Sequence, residues 1–338
     1  YRVVIRILET GMLNSVQDAG RLGYRLLGVS TSGVMDRLAL QCGNMLLNNP
    51  AEAACIEIQT FPFSVSFGSQ TGFSVTGGHA PMTLDGKPVL PWFALCARQG
   101  DVLRIERPVA GARMYLCIAG GLDVPVVLAS RSTQLRGGFG GWQGRPLQQG
   151  DELPLCNLSC VEEVGLVPPA QALALKAEGT DEKTVVLRVI PATDYTLFTG
   201  DSLKQFGAIG WQITAQSDRV GYRLKGGALR MREPVELRSY GVVPGIIQVP
   251  PSGEPIIQMA DANTAGGYPR IATVIEADLW RLAQARIGSF VRLQLCDHAQ
   301  GLAAAEDVQT YLKNAQKNLM LYRKSFSRRG AGHTGKQA

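Results

Sequence analysis

The sequence is poor in the residues that most catalytic and metal-binding motifs require. Only three of its 338 residues are histidine, His79, His298 and His333. They lie far apart, and neither H-E-x-x-H nor a C-x-x-C pair occurs, which excludes the common zinc sites. No G-x-S-x-G elbow offers a serine nucleophile, no G-x-x-x-x-G-K-[ST] loop offers a phosphate cradle, and no A-M-K-M-type segment offers a lysine for covalent biotin. No apolar run approaches the roughly 18 to 20 residues of a membrane span, and the N-terminus lacks the basic, apolar, small-residue order of a signal peptide. The seven cysteines, Cys42, Cys55, Cys96, Cys117, Cys156, Cys160 and Cys296, are odd in number, so no disulfide framework is expected. Runs such as Leu116-Cys117-Ile118 read as small buried hydrophobes in a reducing, cytoplasmic compartment.

Charge points to no nucleic-acid partner. The net +6 comes from 34 basic and 28 acidic residues. Seven of the basic ones, Lys313, Lys317, Arg323, Lys324, Arg328, Arg329 and Lys336, follow residue 312 with no acidic residue among them. The body is therefore about neutral, and 313–338 reads as a basic tail, a helix end with a frayed terminus rather than a nucleic-acid arm.

What is abundant is turn-forming residue and β patterning, with 39 glycines and 18 prolines. Phe63 to Phe67, Phe73 to Thr76, Val102 to Glu106 and Arg113 to Ile118 alternate with period two. Asp85-Gly86 marks a hairpin between Met82-Thr83-Leu84 and Lys87-Pro88-Val89. One helix, Met35 to Leu47, interrupts them, capped by Ser32 or Asp36. Strands are expected again at Thr184 to Ile190, Pro234 to Arg238, Gly245 to Val249, Pro255 to Met259 and Phe290 to Leu295. Helices are expected at about Glu276 to Ala285 and Gly301 to Tyr322. The length and the fading periodicity around Pro168-Pro169 predict two mainly β domains, 1–155 and 184–312, joined by a linker at 156–183. A repeat supports the pairing: Arg21 to Gly28 and Arg219 to Gly226 both fit R-x-G-Y-R-L-x-G.

Three loop groups carry candidate chemistry. Arg131, Ser132 and Thr133 precede a glycine-rich run through Gly141 to Arg145, where backbone amides and arginine forks can hold an anion; the same glycines also suit plain tight turns. Asp261-Ala262-Asn263-Thr264-Ala265-Gly266-Gly267-Tyr268 follows a strand and combines a carboxylate, a hydroxyl and close backbone approach, or is a hairpin connection with Asp261 capping its own turn. The two repeat segments place Arg21, Arg25, Arg219 and Arg223 beside Tyr24 and Tyr222, as an anion grip or as surface arginines over rings.

Six colinear blocks carry a resemblance: Thr10 to Arg21 with Gly33-Val34-Met35-Asp36, Ala119 to Asp123, Gly144 to Leu147 with Gly150-Asp151, Arg219 to Leu224, and Gly266 to Ala272. In order and spacing they resemble the KipA and urea amidolyase carboxyltransferase family (allophanate hydrolase subunit 2-like), on the branch of the C subunit of the prokaryotic 5-oxoprolinase. The run Asn263-Thr264-Ala265-Gly266-Gly267 departs from the family's Gln-Thr-Thr-Gly-Gly. The resemblance implies two cyclophilin-like β-barrel domains with few helices. It implies one subunit of a complex that hydrolyses 5-oxoproline at the expense of ATP, with KipI-like and LamB/YcsF-like partner subunits and no biotin on this chain. Biotin-dependent carboxyl transfer to urea and non-catalytic regulatory binding are the alternatives. In that setting Asp261, Thr264 and Arg219 are the expected catalytic residues. Arg131, Ser132, Thr133, Gly141, Arg145, Arg223, Gly266, Gly267 and Tyr268 are the expected substrate contacts, and no metal is expected.

Overall fold

The computed structural model describes residues 4–157, 159–175 and 184–331. In its first half the alternating segments form two six-stranded sheets. One runs in the order Glu152–Pro154, Val4–Glu9, Phe63–Phe67, Val102–Ile105, Met82–Leu84 and Lys87–Val89. The other runs Val164–Gly165, Phe93–Ala97, Thr71–His79, Ala110–Ile118, Cys55–Ile58 and Ser15–Gln17. Their inward residues, among them Ile5, Phe63, Val65, Phe73, Leu103 and Leu116, share one core. Each such fully buried side chain contributes roughly 1.5–3 kcal/mol. The second half is a closed seven-stranded barrel, ordered Thr184–Pro191, Arg270–Val274, Ile246–Gln248, Ile256–Gln258, Gly221–Lys225, Gly210–Ile213 and Phe290–Leu295. Trp211, Tyr222 and Phe206 lie in its core. The mainly β expectation holds, with the first half built as two sheets around a common core and the second as a closed ring.

Several local readings hold in detail. Asp85 and Gly86 take φ values of 50° and 76°, as a primed turn requires, and join two paired strands. The helix Arg37–Leu46 starts at Asp36, whose carboxylate accepts the Ala39 N–H. That helix packs on the outer face of the second sheet, against Tyr115 and Cys117.

Other readings are corrected. Pro234 to Arg238 forms no strand: the segment is mostly exposed and has no partner to complete a ladder. The expected helix over 276–285 splits into a 3-10 turn, Glu276–Asp278, and a short helix, Leu279–Ala283. The final helix is longer than expected, His298–Ala331. Its Val308, Tyr311, Leu312 and Leu319, at helical spacing, pack into the cluster around Arg37–Leu46. Arg323 donates to Leu46 O at 2.8 Å and Asn48 Oδ1 at 2.6 Å. The basic run therefore begins as a docked helix, while 332–338 fall outside the described residues. Of the expected linker, Val164–Gly165 joins the second sheet and Pro169–Ala172 makes a helical turn; 176–183 also fall outside. Cys96 and Cys160 are joined, with Cα atoms 5.6 Å apart, a single bridge where reduced cysteines were expected, while the other five cysteines are free. The return of Val164–Gly165 onto Phe93–Ala97 brings residues 64 apart in sequence together. No helix among the described residues is long and apolar enough to cross a membrane.

Candidate functional site

The two halves meet on a buried charge network. Gly221–Lys225 pairs with Ile256–Gln258, with Gly221 opposite Gln258, so residues 219 and 261 leave neighbouring strands at one end of the barrel. The Asp261 N–H donates to Arg219 O at 2.8 Å. The Arg219 guanidinium then grips the Asp261 carboxylate with two bonds, Nε to Oδ2 at 2.8 Å and Nη2 to Oδ1 at 3.2 Å. Its other donors reach into the first half, Nη1 to Glu57 Oε1 and Nη2 to Gly33 O at 2.5 Å. Glu57 is fully buried and also accepts the Met35 N–H at 2.7 Å. Burial opposes the charge of Arg219, but the fields of Asp261 and Glu57 outweigh it and hold the guanidinium above its ordinary pKa. Gly33 belongs here because only glycine fits: its φ is +88°, and a Cβ would lie 2.8 Å from Gly20 N.

Beside this network a cleft of about 720 Å³ opens between the halves, lined by Gln59, Arg113, Arg136, Arg219, Asp261 and Arg286 among others. Arg113 reaches it through a bulge. Ala110 pairs with His79 and Met114 with Gly77, so Ala110–Ile118 carries two extra residues between these pairs. The amides of Ala112 and Arg113 both donate to Gln284 Oε1, at 3.0 and 3.1 Å. Gln284 in turn donates to Asp36 Oδ2 at 2.8 Å, a second tie between the halves. Burial, Asp36's largest influence, pushes its carboxyl up to about 6.

Asp261 and Arg219 are thus together, as expected, and both line the cleft. Arg219 differs from expectation in spending four of its five N–H donors on the protein's own groups, which leaves a single hydrogen of Nη1 and no two-pronged fork for a substrate carboxylate. Thr264, Gly266, Gly267 and Tyr268 are not among the cleft's lining residues. They sit on and around a two-stranded flap, Tyr240–Gly241 with Ala265–Gly266. There Gln258 Nε2 donates to Gln248 Oε1 at 2.8 Å, Gln248 Nε2 to the Tyr240 hydroxyl at 2.7 Å, and Tyr240 to Tyr268 O. Arg223 is exposed on the barrel's outer face, because Tyr222 takes the inward position.

The expected anion loop is occupied by a carboxylate of the chain itself. Asp18 accepts from Ser130 Oγ at 2.7 Å, Ser132 Oγ at 2.6 Å, the Arg131 N–H at 2.5 Å and the Gly20 N–H at 2.8 Å. Thr133 Oγ1 donates to Val16 O at 2.8 Å, and a Cβ at Gly141 would fall 1.8 Å from that hydroxyl. Arg145 forks onto Asp151 at 2.8 Å twice. The amides of Gly138, Phe139, Gly144 and Arg145 are donated to carbonyls of the same loop. Arg131, Ser132, Thr133, Gly141 and Arg145 therefore build structure around Asp18 and Asp151 and do not line the cleft. The first repeat copy is a turn and a 3-10 helix, Arg25–Leu27, instead of a strand. Its Arg21 is buried on Val127 O and Ser132 O, and Arg25 reaches Asn263 O at 2.9 Å.

Sequence reasoning missed Glu57, Arg113 and Asp18. Glu57 alone was signalled, as a carboxylate between two isoleucines in a run reading as a buried strand.

The chain matches the carboxyltransferase domain family, subdomains A and B, over residues 27–295. It is 38% identical to the C subunit of 5-oxoprolinase from Escherichia coli (strain K12), covering 92% of this chain and 97% of that one. It is 40% identical to the C subunit of 5-oxoprolinase from Haemophilus influenzae, covering 86% and 91%. The urea amidolyase of Saccharomyces cerevisiae is 31% identical over 90% of this chain and 17% of its own length. Among solved structures, the K. lactis urea amidolyase superposes with a TM-score of 0.83 at 28% identity, covering 93% of this chain and 20% of that chain.

Proposed function

This chain belongs to the carboxyltransferase domain family with subdomains A and B, and from that premise we propose that it serves as the C subunit of an ATP-dependent 5-oxoprolinase, contributing the cleft between its halves to the site. The observation that carries the reading is coverage: the likeness to the two relatives named as C subunits of 5-oxoprolinase spans 97% and 91% of them, against 17% of the yeast urea amidolyase. In this reading the substrate is 5-oxoproline, a lactam bearing a carboxylate. KipI-like and LamB/YcsF-like chains are the partner subunits, and the compartment is the cytoplasm. The buried free thiols of Cys42, Cys55, Cys117 and Cys296 support that compartment, while the Cys96–Cys160 pair argues against it.

The chemistry is the opening of an amide whose resonance makes its carbonyl a poor electrophile. Hydrolysis breaks the lactam C–N bond, adds a water oxygen to the carbonyl carbon and returns a proton to the nitrogen. Asp261, partly open to the cleft, accepts the proton of the attacking water. Arg219 is the positioning residue that fixes its carboxylate. Asn263 and Arg136, joined at 2.6 Å on the cleft's rim, present donors for oxygen as charge develops there. The amides of Gly138, Phe139, Gly144 and Arg145 in the glycine-rich loop are donated to its own carbonyls, and no step is drawn through ATP on this chain.

Reconstitution tests the reading. The purified chain alone should not turn over 5-oxoproline with ATP, and mixing it with its two partner subunits should restore turnover. Full activity of the isolated chain refutes the subunit assignment. An inactive mixture moves the assignment to carboxyl transfer onto urea or to regulatory binding.

A further inference from the structure

The cleft holds more positive charge than its carboxylates answer. Arg107, Arg113, Arg136, Arg219 and Arg286 line it against Asp218 and Asp261. Arg219 and Asp261 answer one another, and Asp218 Oδ1 is taken by the N–H groups of Val220 and Gly221. Arg286 is held by carbonyls, Gly111 O at 2.8 Å and Pro108 O at 2.7 Å, which leave its charge uncompensated. Arg107 is exposed.

Arg113 is the unusual member. It is 6% exposed, yet no carboxylate lies within ion-pair distance among the described residues. The partners of its guanidinium are all neutral. Nη1 donates to the Tyr222 hydroxyl at 2.7 Å and Ala283 O at 2.6 Å, and Nη2 donates to Gln59 Oε1 at 3.1 Å. The buried Nε has no hydrogen-bond partner among the described residues. Of five N–H donors three are used, leaving Nε and one hydrogen of Nη2, the two nitrogens whose parallel donors form a fork for a carboxylate. Glu57, the nearby carboxylate whose field Arg113 feels, already bonds Arg219. Burial disfavours the charge of Arg113, the fields of its neighbours, Glu57 among them, outweigh that, and an incoming anion bonded to the free donors adds to the same stabilisation.

The geometry points to Arg113 as the group that reads the ligand's carboxylate, with Arg107 and Arg136 drawing the anion in, so that the cleft selects an anionic amide over a neutral one. The side-chain oxygen of Gln59, half-buried at the cleft wall, takes the other hydrogen of Nη2. This inference rests on the 5-oxoprolinase reading for the identity of the ligand but not for its charge class. The matched probes are 5-oxoproline and 2-pyrrolidinone, the same lactam ring without the carboxylate.

Binding of each probe to the full chain is measured by calorimetry, and KM for 5-oxoproline is measured in the reconstituted complex. Arg113→Met should weaken 5-oxoproline binding and raise its KM by about 10- to 100-fold, the worth of one or two charge-assisted bonds, with 2-pyrrolidinone binding unchanged. Should Arg113→Met disturb folding, the rim variant Arg107→Gln keeps the test intact. It should weaken 5-oxoproline a few-fold and leave 2-pyrrolidinone unchanged, with the effect shrinking at high salt. Equal loss for both probes, no loss for either, or a wild-type chain that binds neither overturns the inference. A wild-type complex that binds 5-oxoproline selectively yet does not turn it over with ATP overturns the 5-oxoprolinase reading and leaves the charge selection standing.

Discussion

Replacing Arg219 by Met should destabilise the protein by about 3–5 kcal/mol, the usual cost of leaving one partner of a buried ion pair behind. The size follows from where its partners lie. Glu57 has no exposure and keeps only the Met35 N–H once the guanidinium is gone, whereas Asp261 is 12% exposed and can recover some water. Most of the penalty therefore comes from Glu57. Neutralising that residue at the same time should recover part of the loss, so Glu57→Gln with Arg219→Met should cost at least about 1.5 kcal/mol less than the sum of the two single changes. Urea denaturation of the three variants and the parent, with the m-value checked for constancy, reads these differences. An Arg219→Met cost below about 1 kcal/mol, or additivity within about 0.5 kcal/mol, refutes the claim that this pair ties the halves together.

Two further outcomes follow from neighbouring groups. Asp36 titrates near 6 in the folded chain against an ordinary 3.8, so the native state binds its proton more tightly than the unfolded state does. Its stabilising contribution is then present below about pH 4 and is lost as pH rises through 6, by roughly 3 kcal/mol. Measured against Asp36→Asn, which keeps a capping side chain, the parent should lose that much relative stability between pH 4 and 7; a difference independent of pH contradicts the assignment. Gly33→Ala combines a φ of +88° with a Cβ 2.8 Å from backbone and should lower stability by about 1–3 kcal/mol in thermal unfolding, and a loss under about 0.5 kcal/mol would show that the turn relaxes freely.

Val102–Ile105 was legible because it buries one face more deeply than the other, so period-two alternation survives, and Phe63–Phe67, though mostly buried on both faces, was legible because small serines alternate with its apolar side chains. The hairpin at Asp85-Gly86 was legible because its turn demands positive φ. Pro234 to Arg238 misled because β propensity scores a segment without knowing whether a partner strand exists. The repeat misled for a related reason: the same eight-residue pattern forms a strand where Ile256–Gln258 is available to pair and a 3-10 turn where nothing is. In the site, the Asp261–Arg219 pairing could be guessed from residue types, but not that Arg219 would be consumed by Glu57 and Gly33. Nor could composition separate an arginine facing neutral groups, Arg113, from one that is paired, Arg145. For Arg113 that distinction depends on Gln59 and Tyr222, 54 and 109 positions away, and for Arg145 on how the turn folds Asp151 back from 6 positions away.

The central claim is that the cleft beside the Arg219–Asp261 pair is where the amide is opened. Its most direct test is kcat of Asp261→Asn in the reconstituted three-subunit complex, with assembly confirmed by size-exclusion chromatography. A lost proton acceptor should lower turnover by about 10²- to 10⁴-fold while KM for 5-oxoproline stays within a few-fold, since Arg113 and the rim arginines still hold the carboxylate. An assembled variant that retains full turnover contradicts the placement of the chemistry in this cleft.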